Sequence, residues 1–398
     1  MKARRATTLG GALAGVVLML ASCSSGATGG TPAGPSSGGE SGSVTSAAVL
    51  AEAKKVTEQN IAGTDRALPA SSPKAATGKT VWALACSTTA AGCFLPAQGL
   101  VDAGTAMGWS MKLVDGKLDP SVYNAQIRAA AAAGASAIAL FSVDCAATKG
   151  AIEEAQKAGT KVFAANSLDC DDKYAGGGKA MFDGSMVWGP ENQAYGPFVD
   201  QYVGPSIADW VINATNGSAK IIQLRQDDSA GTRHVGQSQF DRLQQCAGCA
   251  VEIVPFTGAD LLGGKVQGKV SAALQKVPDA TVVMVPTDAT ISLGAGAAVE
   301  QARAAGRKIL LVGQEGVPAA IKMLKAGTQS FALGRPWPWT GWAAADAINR
   351  MFAGEKPVDA GIGFGSMDAN HPPTGDVYDG NAKSAGYKDN YKKIWGVG

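Results

Sequence analysis

Polar side chains follow most of the apolar runs in the chain, directly after the point where each run ends. Ligands of open parallel sheets bind beyond the carboxyl ends of the strands, so side chains at these positions would surround one small molecule. Their amide, carboxylate and hydroxyl groups could form hydrogen bonds with a polar solute. The residues concerned are Ser87, Thr88, Ser142, Asp144, Asn166, Ser167, Gln226, Asp227, Asp228, Thr287, Asp288, Gln314 and Glu315.

The same residues have a second interpretation, which is that they cap the helices that follow them. Asp144, Asp288 and Glu315 stand where an N-terminal cap is expected. For any one of them both roles stay open. The convergence of so many polar residues on one edge favours the ligand site.

The elements that would position these residues alternate between strand and helix, which is typical of parallel α/β sheets. The local sequence Ala158-Gly-Thr-Lys-Val of the first half recurs as Ala305-Gly-Arg-Lys-Ile in the second half. We therefore predict an α/β fold with two doubly wound parallel-sheet lobes. Helices are predicted over residues 98–107, 123–133 and 149–158, and strands over residues 80–85, 111–114, 135–141, 161–165, 220–224, 251–254, 281–285 and 308–312.

The N-terminus has the pattern of an export signal, with basic residues before an apolar run over residues 9–20. The run ends in Leu20-Ala21-Ser22-Cys23, which resembles the lipobox of bacterial lipoproteins. The resemblance implies cleavage after residue 22, diacylation of Cys23 and attachment to the cell membrane through lipid alone. The alternative is a secretory signal that ends near a cysteine. In the lipid-anchored protein, residues 23–78 would form a flexible tether and a short docking helix near residues 44–61.

Six cysteines remain once Cys23 carries lipid, and in an extracytoplasmic protein they can form three disulfides. Sequence alone allows 15 pairings. Proximity favours Cys86–Cys93, Cys145–Cys170 and Cys246–Cys249. The last pair could also be a redox dithiol, but it follows a helical run instead of beginning a helix, which favours a structural bond.

Composition and motifs argue against several classes of function. A formal net charge of +2 with 17% charged residues disfavours a nucleic-acid partner. The two histidines, His234 and His371, lack metal-ligand spacing, and no G-x-S-x-G motif is present. Asp169, Asp171 and Asp172 could bind calcium weakly, although a solvated acidic turn fits their spacing better. We expect no catalytic residues, no cofactor and no metal site.

Residues 79–355 resemble the type I periplasmic binding proteins of ABC sugar importers, the ribose-binding group in particular. The resemblance rests on the order and spacing of four segments and on Arg335, which falls near the last hinge crossing. The four segments are Ser87–Phe94, Ser229–Gly236, Pro286–Asp288 with Ile291–Gly294, and Leu311–Gly316.

The resemblance implies two lobes joined by a hinge, residues 79–199 with 336–364 and residues 200–335 with 365–398. It implies a monomeric solute-binding protein that delivers a sugar or polyol to an ABC permease. A sensor that presents its bound form to a receptor kinase is the alternative. A hydrolase would need a nucleophile and a base that the sequence does not offer. The implied ligand residues are Phe94, Asp144, Asn166, Arg233, Thr287, Asp288, Glu315, Arg335 and Trp337.

Two departures from the group leave the solute undetermined. Its acidic–basic pair after the fourth strand is replaced by Asn166-Ser167, and an additional stretch covers residues 169–198. Trp337 lies in a Trp-rich segment beside Arg335, where it could stack on the apolar face of a sugar together with Phe94. Trp342 of the same segment is assigned to the core.

Overall fold

The computed structural model describes residues 46–398, so the predicted signal peptide, the lipid site at Cys23 and the start of the tether lie outside the described residues. Two sheets organise the described part of the chain. No helix within residues 46–398 is both long and apolar enough to cross a bilayer.

The first sheet consists of five parallel strands, Thr80–Ala85 (β1), Ser110–Asp115 (β2), Ala137–Phe141 (β3), Lys161–Ala164 (β4) and Gly184–Ser185 (β5). Their order across the sheet is β2-β1-β3-β4-β5. The central strand β3 is buried along its whole length, as a continuous apolar run in a parallel sheet predicts.

The second sheet has six strands, Ser218–Gln226 (β6), Gly248–Phe256 (β7), Val282–Met284 (β8), Leu310–Glu315 (β9), Phe331–Gly334 (β10) and Gly365–Asp368 (β11). Their order is β11-β10-β9-β8-β6-β7, with only β11 antiparallel to its neighbour. The predicted pair of parallel α/β lobes is therefore confirmed. Strand β9 is longer than predicted, so Glu315 is its last residue and does not follow it.

Helices connect the strands, and two π-helical turns, Val199–Val203 and Ile291–Ala295, continue into regular helices. The helices are Ser46–Ile61 (α1), Ala91–Ala106 (α2), Pro120–Ala132 (α3), Cys145–Lys157 (α4), Tyr195–Phe198 (α5), Gly204–Ala214 (α6), Ala230–Leu243 (α7), Gly258–Leu262 (α8), Val266–Lys276 (α9), Asp288–Thr290 (α10), Gly296–Ala304 (α11), Pro318–Lys325 (α12), Trp337–Ala353 (α13) and Tyr387–Trp395 (α14).

Helix α2 begins at Ala91 and not at residue 98 as predicted. Pro96 lies inside it, and proline usually breaks a helix because its ring meets the carbonyl four residues earlier. That residue is Gly92, which has no side chain to add to the crowding. The bond between Cys93 and Cys86 also ties the first turn of α2 to the end of β1.

All three predicted disulfides are present: Cys86–Cys93, Cys145–Cys170 and Cys246–Cys249. Cys246 follows the end of α7 and Cys249 lies in β7, so the third bond closes the turn between a helix and a strand. A thiol in that position is not at a helix N-terminus, where the dipole would activate it. The bond is therefore structural.

The chain passes between the two sheets at several points, which include residues 335–336 before α13 and residues 354–364 after it. Helix α13 packs against α2 of the first lobe, whereas β11 pairs with β10 of the second. The predicted docking helix is α1, and it packs against α6 and β11.

The C-terminal helix packs differently from what the predicted lobe boundaries imply. Residues 365–398 were assigned to the second lobe, but α14 packs against α13, which lies on the first. Trp395 stacks on Trp342 with ring centroids 5.7 Å apart, and Tyr387 and Tyr391 contact the same indole. The aromatic face of α14 is thereby removed from water, which explains its position. Trp342 is a core residue, as predicted.

Helices α2 and α13 approach each other closely because glycines meet at their contact. A side-chain carbon on Gly341 would collide with the backbone of Pro96 and Leu100, and one on Gly99 would meet the Pro338 carbonyl. This contact holds the first lobe to the helix that follows the hinge.

We predict that Gly341→Ala destabilises the chain by about 1–3 kcal/mol, because the added methyl group overpacks the contact between α2 and α13. Gly268→Ala in α9 is the matched control, since open space surrounds that glycine. Alanine there should stabilise by up to about 1 kcal/mol through helix propensity. Urea unfolding of both variants measures the difference, and equal stability would contradict the close contact.

Candidate functional site

Arg335 lies immediately after β10, where the chain leaves the second sheet, and its side chain is 2% exposed. Its guanidinium carbon lies 4.8 Å from the ring centre of Trp337 and 5.7–5.8 Å from those of Trp188, Tyr195 and Phe198. Nη2 is buried and has no hydrogen-bond partner in the described part of the chain. The group is therefore a buried cation that is surrounded by aromatic faces and retains a free donor.

Glu315 ends the neighbouring strand, and its backbone carbonyl accepts a hydrogen bond from the Arg335 amide (3.0 Å). Its φ of 92° is in the left-handed region, an unusual conformation for a residue with a side chain. The carboxylate contacts Gly92 in the first turn of α2, so closely that a side-chain carbon on Gly92 would collide with Oε1. Glu315 therefore bridges the end of the second sheet and a helix of the first lobe.

The pKa of Glu315 is raised to about 7 by burial, and the opposing effects of the Asp288 amide and the Arg335 charge are smaller. A carboxyl group with such a pKa exchanges its proton near neutral pH. It can donate a hydrogen bond when protonated and accept one when ionised.

Asp288 is a predicted ligand residue, and its carboxylate forms hydrogen bonds within the second lobe. Its side chain is fully buried, Oδ2 accepts from the Gly316 amide (2.9 Å) and Oδ1 accepts from Gln329 (3.2 Å). Burial, with the nearby Glu315 charge, raises its pKa well above the usual value. Both oxygens thus help to position the turn after β9, and a ligand role for Asp288 stays a prediction.

The hydrogen bonds of Asp288 and Glu315 also bear on whether these residues cap the helices that follow them. The amide of Asp288, at the start of α10, donates to Glu315 Oε2 (2.9 Å), while the amide of Gly316 donates to Asp288. The Glu315 carboxylate thus accepts from the amide of Asp288 itself, and the Asp288 carboxylate accepts from the amide of the residue after Glu315. Thr287 precedes them and is half-buried, with Oγ1 hydrogen-bonded to Thr290 Oγ1 (2.9 Å).

The first lobe contributes Asn166 and Asp144, which follow β4 and β3. Asn166 is buried, its Nδ2 donates to Ser142 Oγ (2.9 Å), and its Oδ1 has no partner among residues 46–398. Asp144 stands at the N-cap of α4 without capping it. Instead it accepts from the amides of Leu168 (3.0 Å) and Ala230 (3.3 Å), the second of which begins α7 of the other lobe. Burial raises the pKa of Asp144.

Two predicted stacking residues lie on the first turns of helices. Phe94 is half-buried in α2. Trp337 is buried at the start of α13 and packs with Val317 and Ala320 of the second lobe, and its indole N–H has no partner in the described chain. Trp337 therefore packs between elements, and its pocket role stays a prediction.

Arg233 is half-buried near the start of α7, and its guanidinium carbon lies 4.6 Å from the ring centre of Tyr174. It does not pair with the two nearby carboxylates. Asp227 lies 3.9 Å from Arg225, and Asp228 accepts from the Gly258 amide (2.8 Å). The charged donors of Arg233 are thus not committed to holding its loop.

Sequence reasoning did not assign Trp188, Tyr195 and Phe198 as partners of Arg335, and it did not predict the environment of His234. Trp188 was noted in the additional stretch, but nothing in its spacing placed it beside Arg335. Its indole N–H donates to the Ala165 carbonyl (3.3 Å), next to Asn166. His234 is 1% exposed between Asp172 (2.9 Å) and Asp200 (2.8 Å).

Two acidic residues of the additional stretch, Asp169 and Asp172, bond to groups of the chain itself. Asp169 accepts from the amides of Cys170, Met181 and Phe182, and Asp172 bonds to His234. Within residues 46–398 the one group with the geometry of metal ligands is Cys145, Asp169 and Cys170, and its two sulfurs form a disulfide.

A groove of about 890 Å³ lies apart from the predicted ligand residues. Helices α1 and α7 contribute to its walls, together with Arg66, Phe198, Tyr202 and Asp209. Phe198 alone among the groove residues is also a neighbour of Arg335.

Comparison with known proteins identifies the family of the fold. The sequence profile of a family described as "periplasmic binding protein domain" matches residues 87–356. A search of curated proteins finds no sequence match. Solved structures do match, at identities that show a shared fold.

Three of these structures illustrate the similarity. An ABC transporter solute-binding protein from Agrobacterium vitis, bound with α-D-tagatopyranose, has a TM-score of 0.63 and 17% identity over 75% of this chain and 97% of that one. GanP, a glucose-galactose binding protein from Geobacillus stearothermophilus, has a TM-score of 0.62 and 17% identity over 75% of this chain and 100% of that one. An ABC transporter solute-binding protein from Bacillus halodurans, with bound myo-inositol, has a TM-score of 0.60 and 14% identity over 73% of this chain and 95% of that one.

We predict that Glu315→Gln stabilises the ligand-free chain at pH 8 and not at pH 4. A raised carboxyl pKa means that the folded chain favours the protonated form, so a penalty for the charged form develops between the usual value of 4.5 and about 7. Glutamine removes that penalty, on the order of 1–3 kcal/mol, and keeps the acceptor for the Asp288 amide.

Thermal unfolding of wild type and Glu315→Gln across this pH range checks the prediction. Glu58→Gln is the control, because Glu58 is exposed on α1. A stability difference that is independent of pH, or the same in both variants, would mean that the carboxyl group is not buried as described.

Proposed function

The chain belongs to the periplasmic binding protein domain family, and from this premise we propose that it binds a sugar or polyol between its two lobes and delivers it to an ABC importer. It is a binding protein and not an enzyme. The two lobes would close on the solute by a hinge motion at the segments that join them.

The observation that carries this proposal is a set of buried polar atoms without partners. Arg335 Nη2, Trp337 Nε1 and Asn166 Oδ1 make no hydrogen bond within residues 46–398. Leaving such an atom buried and unsatisfied costs about 1–3 kcal/mol. A bound solute would provide the missing partners.

These three atoms belong to one connected group of side chains. Trp337 and Trp188 both face the Arg335 guanidinium, and Trp188 is hydrogen-bonded to the carbonyl next to Asn166. Glu315 pairs with the strand that leads to Arg335 and reaches α2 near Phe94. First-lobe and second-lobe groups thus surround the same region.

The chemistry of the group suits hydroxyl-rich solutes. Guanidinium and indole N–H groups donate, the Asn166 oxygen accepts, and Glu315 can do either near neutral pH. A hydroxyl group both donates and accepts, so a sugar or polyol can satisfy all of them. The aromatic rings provide surfaces for the apolar C–H faces of such a molecule.

The similar structures support the same class of solute. Besides tagatopyranose and myo-inositol, related proteins are described with D-allose, D-arabinose and allitol. Their identities of 14–17% carry the fold to this chain but not the choice of sugar.

We also propose that the protein acts outside the cytoplasm as a monomer held to the cell membrane by lipid on Cys23. This part rests on the export signal and on Leu20-Ala21-Ser22-Cys23. An ABC permease would be the partner that receives the solute. The glycine- and serine-rich tether would give the lobes enough reach to meet it.

A thermal-shift panel tests the proposal. It should contain D-tagatose, D-allose, D-arabinose, myo-inositol and allitol, with nucleosides and aromatic acids as other classes. A solute at 100 times its Kd stabilises by about 2.7 kcal/mol, so we expect a clear rise in Tm for at least one sugar or polyol. A response to the other classes alone would overturn the proposed solute class.

We predict that Arg233→Ala weakens binding of the responding sugar by about one to two orders of magnitude. A charge-assisted hydrogen bond contributes roughly 1.5–3 kcal/mol, and Arg233 has no carboxylate partner that competes for it. The Tm of the ligand-free protein should change little, because the side chain lies at the lobe edge.

Isothermal titration of Arg233→Ala and of Arg128→Ala distinguishes a ligand-binding role of Arg233 from a role in supporting its loop. Arg128 of α3 pairs with Glu154 of α4 at an exposed position, so Arg128→Ala should leave the affinity for the sugar unchanged. A lower Tm with affinity within about threefold of wild type would show that Arg233 only supports its loop.

A further inference from the structure

Residues 169–183, which form most of the additional stretch, are fastened to the first lobe. Cys170 is bonded to Cys145 at the start of α4, and Gln156 of the same helix donates to Asp183 Oδ2 (3.0 Å). Asp172 lies in this segment. Its carboxylate is therefore held in place by the first lobe.

His234 lies on α7, which follows the first strand of the second sheet. Its Nε2 is 2.9 Å from Asp172 Oδ2, and its Nδ1 is 2.8 Å from Asp200 Oδ1. Asp200 belongs to the π-helical turn that leads into α6. The imidazole thus connects a first-lobe segment to the second lobe, and Tyr195 beside this contact also faces Arg335.

A small apolar contact accompanies these bonds. Leu168 and Ala175 of the first lobe pack against Ala230 at the start of α7, with Tyr174 and Tyr195 at the edge. The Tyr174 ring meets the His234 ring edge-on, with centroids 4.7 Å apart. The contact excludes water from the imidazole, which strengthens its interaction with both carboxylates.

Only a protonated imidazole satisfies both carboxylates. The neutral ring has one N–H and would point a lone pair at the second carboxylate, whereas the cation donates from both nitrogens. The bonds to Asp172 and Asp200 raise the pKa of His234 above its usual value, although burial alone would lower it.

Other charged groups around His234 do not replace these partners. Lys173 binds the second oxygen of Asp200 (2.7 Å), and Asp144 of the first lobe adds attraction at longer range. Arg233, next along α7, is turned onto Tyr174. Arg242 of α7 pairs with Asp209 and Glu52, Arg225 of β6 with Asp227, and Glu252 of β7 with Lys276.

We propose that Asp172, His234 and Asp200 form a latch that strengthens the contact between the lobes when His234 is protonated and loosens it when His234 is neutral. The Lys173–Asp200 pair and the bond from the Ala230 amide to Asp144 cross the same boundary at either protonation state. The latch goes beyond solute binding and needs no solute to operate. Its stabilisation is fully present below the usual histidine value of about 6.5 and is lost as the pH rises through the raised value.

Small-angle scattering of the purified chain without solute tests the latch. We expect the radius of gyration of wild type to increase between pH 5.5 and pH 9. His234→Gln should have the larger radius at every pH, because it cannot become a cation. His371→Gln is the matched control, since the other histidine is exposed and bonds to Asp368 of its own lobe, and it should follow wild type.

Asp172→Asn provides a second variant that keeps the histidine and Asp200. With ¹³Cε1-labelled histidine the chain gives two signals, and His371→Gln identifies that of His234. We expect the pKa of His234 in Asp172→Asn to fall by about 1 unit or more, with the larger radius already present at pH 5.5.

A wild-type radius that does not change with pH would overturn the latch, and so would variants that keep the wild-type radius. Far-UV circular dichroism establishes that both variants are folded. The thermal-shift panel reads solute binding separately, so loss of the latch with a retained sugar response would leave the proposed function standing. A radius that depends on pH and on His234 as expected, without a response to any sugar or polyol, would leave the latch standing.

Discussion

A buried guanidinium group at the crossing between the lobes is the constraint on which the site depends. Arg335 has no ion-pair partner within 4.0 Å in the described chain, and placing such a charge away from water is costly unless other groups compensate. Four aromatic rings and the nearby charge of Glu315 provide that compensation. The hinge segment, the additional stretch and α13 must all be in place to supply them, which explains why aromatic residues are concentrated there.

The second lobe maintains this arrangement through the end of β9. Glu315 adopts a left-handed backbone conformation, and Asp288 holds the turn by accepting from the Gly316 amide while donating its own amide to Glu315. The strain of such a conformation persists only where surrounding bonds determine it. The result is a carboxyl group with a pKa near neutrality that contacts the first lobe at Gly92. One residue thus contacts the first lobe while it ends a strand of the second.

The sequence predicted the alternating elements, the two parallel sheets and the three disulfides, because apolar runs and short cysteine spacings are local signals. It did not predict the lobe against which α14 packs, since an aromatic face indicates burial without indicating its partner. The hydrogen bond of Asp288 to Gln329 could not be predicted, because Gln329 comes from another loop. The role of His234 could not be inferred either, as its partners are 62 and 34 residues away in sequence. Ligand roles for Arg335, Glu315 and Asn166 stay predictions.

The central claim is that the solute occupies the region between Arg335, Glu315 and Asn166. The most direct test is a crystal structure of the chain with the sugar or polyol that raises its Tm most. We predict density for the solute there, with hydroxyl groups within hydrogen-bond distance of Arg335 Nη2 and Asn166 Oδ1. Density in the groove beside α1, with both atoms still unpartnered, would contradict the account.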